Sequence, residues 1–278
     1  MPAEKFDFPN AKGETLAALL DRPDGPARAV ALFAHCFTCG KDNRAARRIA
    51  EGLMLHGIAV LRFDFTGLGM SEGEFANTTF SSNVDDLVAA ADHLREKLKA
   101  PAILIGHSLG GAAVLAAAHR IAEARAVVTI GAPADPAHVV GLLKDQIANI
   151  DLHGEVEVTL AGRNFRVRRA FLDDVAEQML TPRIANLHKA LLIFHSPTDD
   201  TVGIDNASHI FLAAKHPRAS SRSPAPIICS AAAAMTLTSP VSSPPGPPAI
   251  STWAWKTWAW KTWAPTMSRP TARRPAPC

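Results

Sequence analysis

The pentapeptide Gly106-His107-Ser108-Leu109-Gly110 lies between an apolar run at 101–105 and an alanine-rich run at 111–118. The first run predicts a buried strand and the second predicts a helix. A turn that lifts a serine between a strand and a helix strains the backbone and brings both elements close together, so small residues must flank the serine. The spacing G-x-S-x-G meets that demand. Ser108 is therefore the predicted nucleophile.

Length and composition favour a globular α/β protein. The chain has 278 residues, enough for one large domain with or without a tail, and its apolar content is 47%. No run approaches the roughly 18 apolar residues that a bilayer span needs, and the N-terminal segment lacks the apolar core of a signal peptide. We therefore expect a cytoplasmic protein that does not bind a membrane.

The net charge of +3 is unevenly distributed along the chain. No Asp or Glu follows Asp205, whereas residues 1–216 alone carry a net charge of −4. A mildly acidic folded part lacks the excess of basic residues with which proteins bind nucleic acid. We expect a small-molecule partner, and the sequence leaves the oligomeric state open.

Apolar runs and helical patterns alternate along the first 200 residues. Buried strands are predicted at 29–34, 58–63, 101–105, 126–130 and 191–194, and helices at 45–56, 83–98 and 111–118. This alternation predicts an α/β protein with a doubly wound, mostly parallel sheet.

Residues 135–186 interrupt this alternation. The segment 136–150 has helical spacing, and 155–160 and 165–168 alternate strictly on either side of a turn, which predicts a hairpin. Inserted at this point, the segment would lie over the carboxyl ends of the strands, where a site is expected. We predict a small lid made of a helix and a hairpin.

Cys36 and Cys39 have the C-x-x-C spacing that is typical of redox and metal-binding pairs. No second pair lies nearby in the sequence, and the motif directly follows a buried strand. We therefore predict neither a metal nor a cofactor.

The turn after the strand at 29–34 is the predicted second half of the site. With a nucleophile of this type, one backbone N–H from that turn and the N–H of the residue after the serine bind the developing oxyanion. By position these donors are Phe37 and Leu109. His35, Cys36 and His107 lie beside them and are candidate substrate contacts. The alternative for His35 is a histidine of the core.

Asp199 is the predicted acid because it lies where the strand at 191–194 ends, and it is favoured over Asp200 and Asp205. The alternative for Asp199 is an Asx-turn residue. Asp64 precedes the nucleophile in the chain and is predicted to organise a turn.

The predicted triad lacks its base. The chain order in this type of site is serine, acid and then histidine. Only His209 and His216 follow Asp199, and both come before any further strand. These two histidines are the remaining candidates.

Five segments together resemble the α/β-hydrolase domains that are found fused to an OsmC-like domain. They are His35–Asp42, Phe63–Gly69, Gly106–Gly111, Ile130–Asp135 and Val202–Ser208, and the resemblance covers about residues 1–217. It implies an intracellular bacterial serine hydrolase of esterase type with an α/β-hydrolase fold. In that family a strand ending in Ala-Asp-His-Leu-Leu follows the Lys-His-Pro at 215–217. This chain departs from the pattern there.

We hypothesise that residues from about 219 onward are the product of a single frameshift. One choice of codons for 219–229, read from each third base, gives Phe-Val-Ser-Leu-Ala-Gly-Ala-Asp-His-Leu, which is a strand followed by the absent histidine. We therefore predict a core at 1–218, without its final strand and histidine. The Pro-, Ala- and Trp-rich tail at 219–278 is predicted to be disordered. The alternative is a genuine proline-rich interaction tail.

The resulting functional hypothesis is hydrolysis of short-chain carboxylic esters through an acyl-enzyme on Ser108. The alternative is a catalytically impaired hydrolase-fold protein that acts only as a binding module, because the triad histidine is absent. The two differ in whether an ester is cleaved in a Ser108-dependent way.

Overall fold

The five apolar runs predicted as strands belong to one eight-stranded sheet. The computed structural model describes residues 3–160, 162–215 and 218–222, all of which belong to one compact unit. The strands are β1 (Glu4–Lys5), β2 (Phe8–Pro9), β3 (Thr15–Leu16), β4 (Ala18–Asp21), β5 (Ala29–Ala34), β6 (Ile58–Phe63), β7 (Ile103–His107), β8 (Ala126–Ile130), β9 (Glu155–Leu160), β10 (Arg163–Arg168), β11 (Ala190–His195) and β12 (Arg218–Arg222).

The strand order in the large sheet is β1-β4-β6-β5-β7-β8-β11-β12. Every neighbouring pair from β6 to β12 is parallel, whereas β4 pairs antiparallel with β6 and β1 pairs antiparallel with β4. This confirms the predicted doubly wound, mostly parallel sheet. Because the parallel strands share one direction, the turns that follow β5, β7, β8 and β11 meet at one edge of the sheet.

Strand β12 corrects one prediction. The sequence analysis ended the core at residue 218 without a final strand, but Arg218–Arg222 pair in parallel with Leu191–His195 of β11. The segment is polar, yet the free edge of β11 offers backbone donors and acceptors that a parallel neighbour satisfies. The folded core therefore extends at least to Arg222. Residues 223–278, which make up most of the predicted tail, lie outside the described residues.

Helices cover both faces of the sheet. They are α1 (Arg44–Met54), α2 (Phe80–Lys97), α3 (Leu109–Ala117), α4 (His138–Leu142), α5 (Ile147–His153), α6 (Arg169–Glu177), α7 (Leu180–Ala185) and α8 (Asp205–Ala213). Helix α1 packs its buried face on one side of the sheet, and α2 and α3 belong to the larger apolar cluster on the other. Among the described helices, none combines the length and the apolar character that a bilayer span requires.

The insertion between β8 and β11 contains the predicted hairpin. Strands β9 and β10 pair antiparallel, with Leu160 opposite Arg163 and Glu155 opposite Arg168. The single helix predicted at 136–150 is instead divided into α4, a 3₁₀ turn at Lys144–Gln146 and the beginning of α5. Two further helices, α6 and α7, lead back to the sheet.

Candidate active site

Ser108 occupies the sharp turn between β7 and α3. Its backbone has φ 53° and ψ −126°, a positive φ that is uncommon for a residue other than glycine. A Cβ at Gly106 would overlap the Gly110 carbonyl, and a Cβ at Gly110 would overlap the His35 carbonyl. The Ser108 N–H donates to the Ile130 carbonyl at 2.9 Å. The turn that the sequence predicted is therefore fixed by steric contacts with neighbouring strands, and the serine is partly exposed at its tip.

The two predicted oxyanion donors follow neighbouring parallel strands. Leu109 is the first residue of α3, where backbone N–H groups are free and the helix dipole favours negative charge. Phe37 lies in the turn after β5, which pairs with β7. Among the described residues, neither N–H donates to another backbone carbonyl. Both groups are thus available to an anionic ligand, and their role stays a prediction.

Residues 35–42 are called the oxyanion turn after their predicted role, and His35 stabilises this turn. The His35 Nδ1 lies 2.7 Å from the Cys36 carbonyl, and the Phe65 N–H donates to its Nε2 at 3.4 Å. The ring is 1% exposed and packs edge-on against Phe65. Burial lowers the pKa of His35. This burial favours the core-histidine alternative and does not support the predicted contact between His35 and substrate.

Asp64 holds the other end of the oxyanion turn. Its Oδ1 accepts from the Lys41 N–H at 2.5 Å, and its Oδ2 accepts from Lys41 Nζ and from the Met70 N–H, both at 2.9 Å. Burial alone would lower the pKa of Lys41, but its hydrogen bonds to Asp64 and Asp42 raise it. Asp64 joins the turn after β5 to the turn after β6, which confirms its predicted structural role.

Cys36 and Cys39 are bonded to each other as a disulfide with a Cα–Cα distance of 5.2 Å. The bond spans Phe37, so the predicted oxyanion donor lies inside a small covalent ring. Both cysteines and the nearby His107 are partly exposed. Burial lowers the pKa of His107, and the Asp199 carboxylate opposes this effect. The predictions that Cys36 and His107 contact substrate stay untested.

Asp199 lies in the turn after β11. Its Oδ1 accepts from the backbone N–H groups of Thr201 at 3.1 Å and Val202 at 2.9 Å. These contacts match the Asx-turn alternative. They involve only Oδ1, so Oδ2 accepts neither of these two hydrogen bonds. Oδ2 lies 3.9 Å from the Nε2 of His195, which itself lies 2.7 Å from the Val202 carbonyl. One carboxylate oxygen thus orders the turn, and the other is open to a second partner.

The structure does not place His209, one of the two predicted replacement histidines, beside Asp199. His209 is exposed on α8, and in the described part of the chain no hydrogen bond joins it to Asp199 or Ser108. His216 lies outside the described residues. The histidine that approaches Asp199 is His195, which sequence reasoning missed because it precedes the acid and ends a buried strand. Its side chain is 2% exposed and belongs to the core.

The inserted segment contacts both halves of the site. Phe165 of β10 and Phe171 of α6 pack around Phe37, with ring centroids 6.4 Å and 5.3 Å from it. At the other half, His138 of α4 lies with its Nε2 2.6 Å from the Thr201 carbonyl. The predicted lid is therefore in contact with the oxyanion turn through aromatic rings and with the Asp199 turn through a hydrogen bond.

Comparisons with known proteins agree with the fold. Residues 25–174 match the Hydrolase_4 family model, described as serine aminopeptidase, S33. The esterase domain from a Rhodothermus marinus protein is 43% identical, with a TM-score of 0.67, and the match covers 85% of this chain and 95% of that domain. Est1E from Butyrivibrio proteoclasticus, in a structure with ferulic acid, is 21% identical, with a TM-score of 0.63. The match covers 77% of this chain and 88% of Est1E and shows a similar fold.

Human relatives match a shorter part of the chain. The mitochondrial palmitoyl-protein thioesterase ABHD10 of Homo sapiens is 30% identical over 160 residues, which are 54% of this chain and 50% of that protein. Human monoglyceride lipase is 32% identical over 114 residues, which are 40% of this chain and 37% of the lipase. The chain thus spans half or less of the length of these curated relatives. With more than half of its residues matched by the family model, it belongs to the Hydrolase_4 family of α/β-hydrolases.

Proposed function

We propose that this chain hydrolyses short-chain carboxylic esters through an acyl-enzyme on Ser108. The observation that carries the proposal is the positive φ of 53° at Ser108, in a turn whose glycines cannot be replaced without overlap. A non-glycine residue is held in such a conformation only where the surrounding structure determines it, and such residues cluster at active sites. The relationship to an esterase domain at 43% identity supports ester rather than peptide substrates.

In the proposed reaction Ser108 Oγ attacks the ester carbonyl, and the negative charge that develops on the carbonyl oxygen is bound by the N–H groups of Phe37 and Leu109. Each such donor contributes about 3 kcal/mol in comparable enzymes. The alcohol leaves, and water then releases the acid from Ser108. Asp199 orients and stabilises the protonated form of the base through its free Oδ2.

The proton on Ser108 Oγ needs an acceptor, and the chain offers two candidates after Asp199. His209 would have to turn inward from α8, whereas His216 lies beyond that helix and outside the described residues. Without any base, oxyanion binding and substrate positioning still leave about 10³- to 10⁴-fold catalysis over water. This residual rate does not depend on the serine, so a Ser108-dependent rate requires one of the two histidines to act as the base.

The test is steady-state hydrolysis of p-nitrophenyl butyrate by the full chain beside Ser108→Ala. Ser208→Ala on α8 is the matched control, since it removes a hydroxyl outside the site. We expect Ser108→Ala to reduce kcat by about 10³-fold or more and Ser208→Ala to leave it unchanged. Equal rates for the folded parent and Ser108→Ala would refute the proposal and support the binding-module alternative.

The same assay identifies the base. His209→Asn and His216→Asn each remove one candidate imidazole at similar volume. If His216 is the base, His216→Asn approaches the Ser108→Ala rate while His209→Asn stays at the parent rate, and the reverse pattern assigns His209. Two unchanged rates would mean that the reaction proceeds without a histidine base from this part of the chain.

A further inference from the structure

Three side chains with soft or borderline metal-ligand atoms meet beside Ser108. Cys36 and Cys39 lie in the turn after β5, and His107 is the last residue of β7. The two Sγ atoms and one ring nitrogen of His107 lie within 4.8 Å of one another. All three side chains are partly exposed. The sequence hides this group, because more than 60 residues separate the cysteines from the histidine. It forms only because β5 and β7 are neighbours in the sheet.

The donor set has a definite chemical preference. Thiolates select thiophilic cations such as Zn²⁺ or Cu⁺, and imidazole suits the same ions. In zinc sites the Zn–S distance is about 2.3 Å and the Zn–N distance about 2.0 Å, so ligand atoms of one site lie a little under 4 Å apart. The three atoms are already within 4.8 Å of one another. A cation needs only small side-chain adjustments once the two sulfurs are separate.

We propose that the reduced Cys36–Cys39 pair and His107 together bind one thiophilic cation, for which Zn²⁺ is the probe. The disulfide is the competing state of the same site. A dithiol reductant transfers two electrons to the Cys36–Cys39 bond and becomes a disulfide itself, while the two sulfurs of the chain become thiols. Binding of the cation then releases one proton from each thiol. Oxidation of the pair excludes the cation, and the bound cation protects the pair from oxidation.

The position of the site gives it a consequence for the neighbouring backbone. Phe37 lies between the two cysteines, and Ser108 follows His107 directly. A cation held by all three side chains would connect the turn after β5 to the turn after β7. Those two turns contain both predicted oxyanion donors. Binding itself does not depend on the proposed esterase activity, so failure of one leaves the other standing.

The test begins from the full chain with Cys229→Ser and Cys278→Ser, which removes the other two thiols. This protein is reduced with dithiothreitol, freed of the reductant without oxygen and titrated with Co²⁺, whose bond to thiolate produces an intense charge-transfer absorption in the near ultraviolet. We expect this band to saturate at one Co²⁺ per chain and to disappear when Zn²⁺ is added. We expect no band in the oxidised protein or in Cys36→Ser/Cys39→Ser.

His107→Asn tests the third ligand, with His119→Asn as the matched control because His119 is exposed and remote from the site. We expect His107→Asn to weaken Zn²⁺ binding at least about tenfold, since changing even an outer-shell partner of a metal site costs about 10- to 100-fold. His119→Asn should bind as the parent does. Far-ultraviolet circular dichroism checks that each variant is folded.

Two results would overturn the proposal. One is a folded, reduced chain whose Cys36 and Cys39 both react with a thiol reagent but which shows no cobalt–thiolate absorption. The other is equal Zn²⁺ affinity in His107→Asn and the parent, which would remove the histidine and leave an ordinary thiol pair.

Discussion

The turn at Ser108 and the turn at Asp199 are built on different physical principles. At Ser108 the backbone is fixed by steric exclusion, because Gly106, Gly110 and Gly111 leave no room for a Cβ. At Asp199 the backbone is fixed by polar contacts, with one carboxylate oxygen accepting two N–H groups. A steric requirement appears in the sequence as a motif of small residues. A polar arrangement depends on partners that the sequence does not identify.

The two turns also differ in how completely their polar groups are paired. The Ser108 N–H donates to the carbonyl of Ile130, the last residue of β8. Beside Asp199, the Nδ1 of His195 is buried and has no hydrogen-bond partner in the described part of the chain. A buried polar atom without a partner costs about 1–3 kcal/mol. The Ser108 N–H is therefore satisfied within the fold, whereas the buried Nδ1 of His195 beside Asp199 is not.

Replacing Asp199 is the strongest test of the Asp199 side. In Asp199→Asn the side-chain oxygen can still accept from Thr201 and Val202, but the charge that would stabilise a protonated base is lost. If the base is an imidazole supported by Asp199, kcat falls by about 10⁴-fold, as in a comparable protease. Ester hydrolysis beside Asp200→Asn measures this, since Asp200 is exposed. A similar small effect in both variants would remove Asp199 from the mechanism.

Adding one methyl group tests the Ser108 side. A Cβ at Gly110 would meet the backbone carbonyls of His35 and Ala34, which cannot move without displacing β5. We expect Gly110→Ala to lower the free energy of unfolding by about 3 kcal/mol or more. Gly141→Ala is the control, because nothing lies within 4 Å of that position in α4, and there alanine should stabilise by up to about 1 kcal/mol. Urea unfolding that shows equal stability for both variants would contradict the steric account.

Much of the fold could be predicted because its signals are local. The runs at 29–34, 58–63 and 126–130 coincide with β5, β6 and β8, since a strand buried on both faces must be apolar throughout. The hairpin could be predicted because strict alternation identifies strands with one buried face. The helix predicted at 136–150 was wrong as one element, because the backbone leaves helical geometry at Leu143 (φ −109°, ψ 4°) and a 3₁₀ turn separates α4 from α5.

The features that sequence analysis missed depend on contacts between distant segments. Strand β12 has a polar sequence and owes its conformation to the free edge of β11. His107 approaches Cys36 and Cys39 because two strands pair, and His195 approaches Asp199 because the chain turns back after β11. Residue spacing alone contains no information on such contacts.

The pH dependence of stability tests a buried carboxylate, Asp86, on the Ser108 side of the site. The turn at 64–71 contacts the oxyanion turn and is joined to α2 by Asp86. The Asp86 carboxylate accepts hydrogen bonds from the Thr66 N–H at 2.9 Å and from the Thr66 Oγ1 at 3.0 Å. Burial raises the pKa of Asp86 from 3.8 to about 6, although the Thr66 hydrogen bonds oppose this. The folded state therefore holds this proton more tightly than the unfolded state does. Its contribution to stability falls as the pH rises from about 4 to about 6.

We expect this loss to reach about 3 kcal/mol. The measurement is urea unfolding of the parent and Asp86→Asn between pH 4 and 7, because the amide does not titrate. The difference between the free energy of unfolding of the parent and that of the variant should decrease by about 3 kcal/mol as the pH rises through this range. The same difference for exposed Asp85→Asn should change by less than about 1 kcal/mol. A difference for Asp86→Asn that is constant with pH would mean that the pKa of Asp86 is the same in the folded and unfolded states.

The smallest expected effect concerns Asn43, which joins the oxyanion turn to α1 by polar contacts alone. Its Oδ1 accepts from the Ala46 N–H at 2.8 Å, and its Nδ2 donates to the Gly40 carbonyl at 2.7 Å. Asn43→Ala removes both bonds and should lower the free energy of unfolding by about 1 kcal/mol. Asn43→Asp keeps the helix cap and loses only the donor to Gly40, so urea unfolding should place it between the parent and Asn43→Ala. If Asn43→Asp is as unstable as Asn43→Ala, the bond to Gly40 is the dominant contact. The oxyanion turn, which Asp64 already holds by hydrogen bonds, would then depend on one more polar contact, and steric fixation would be confined to the residues around Ser108.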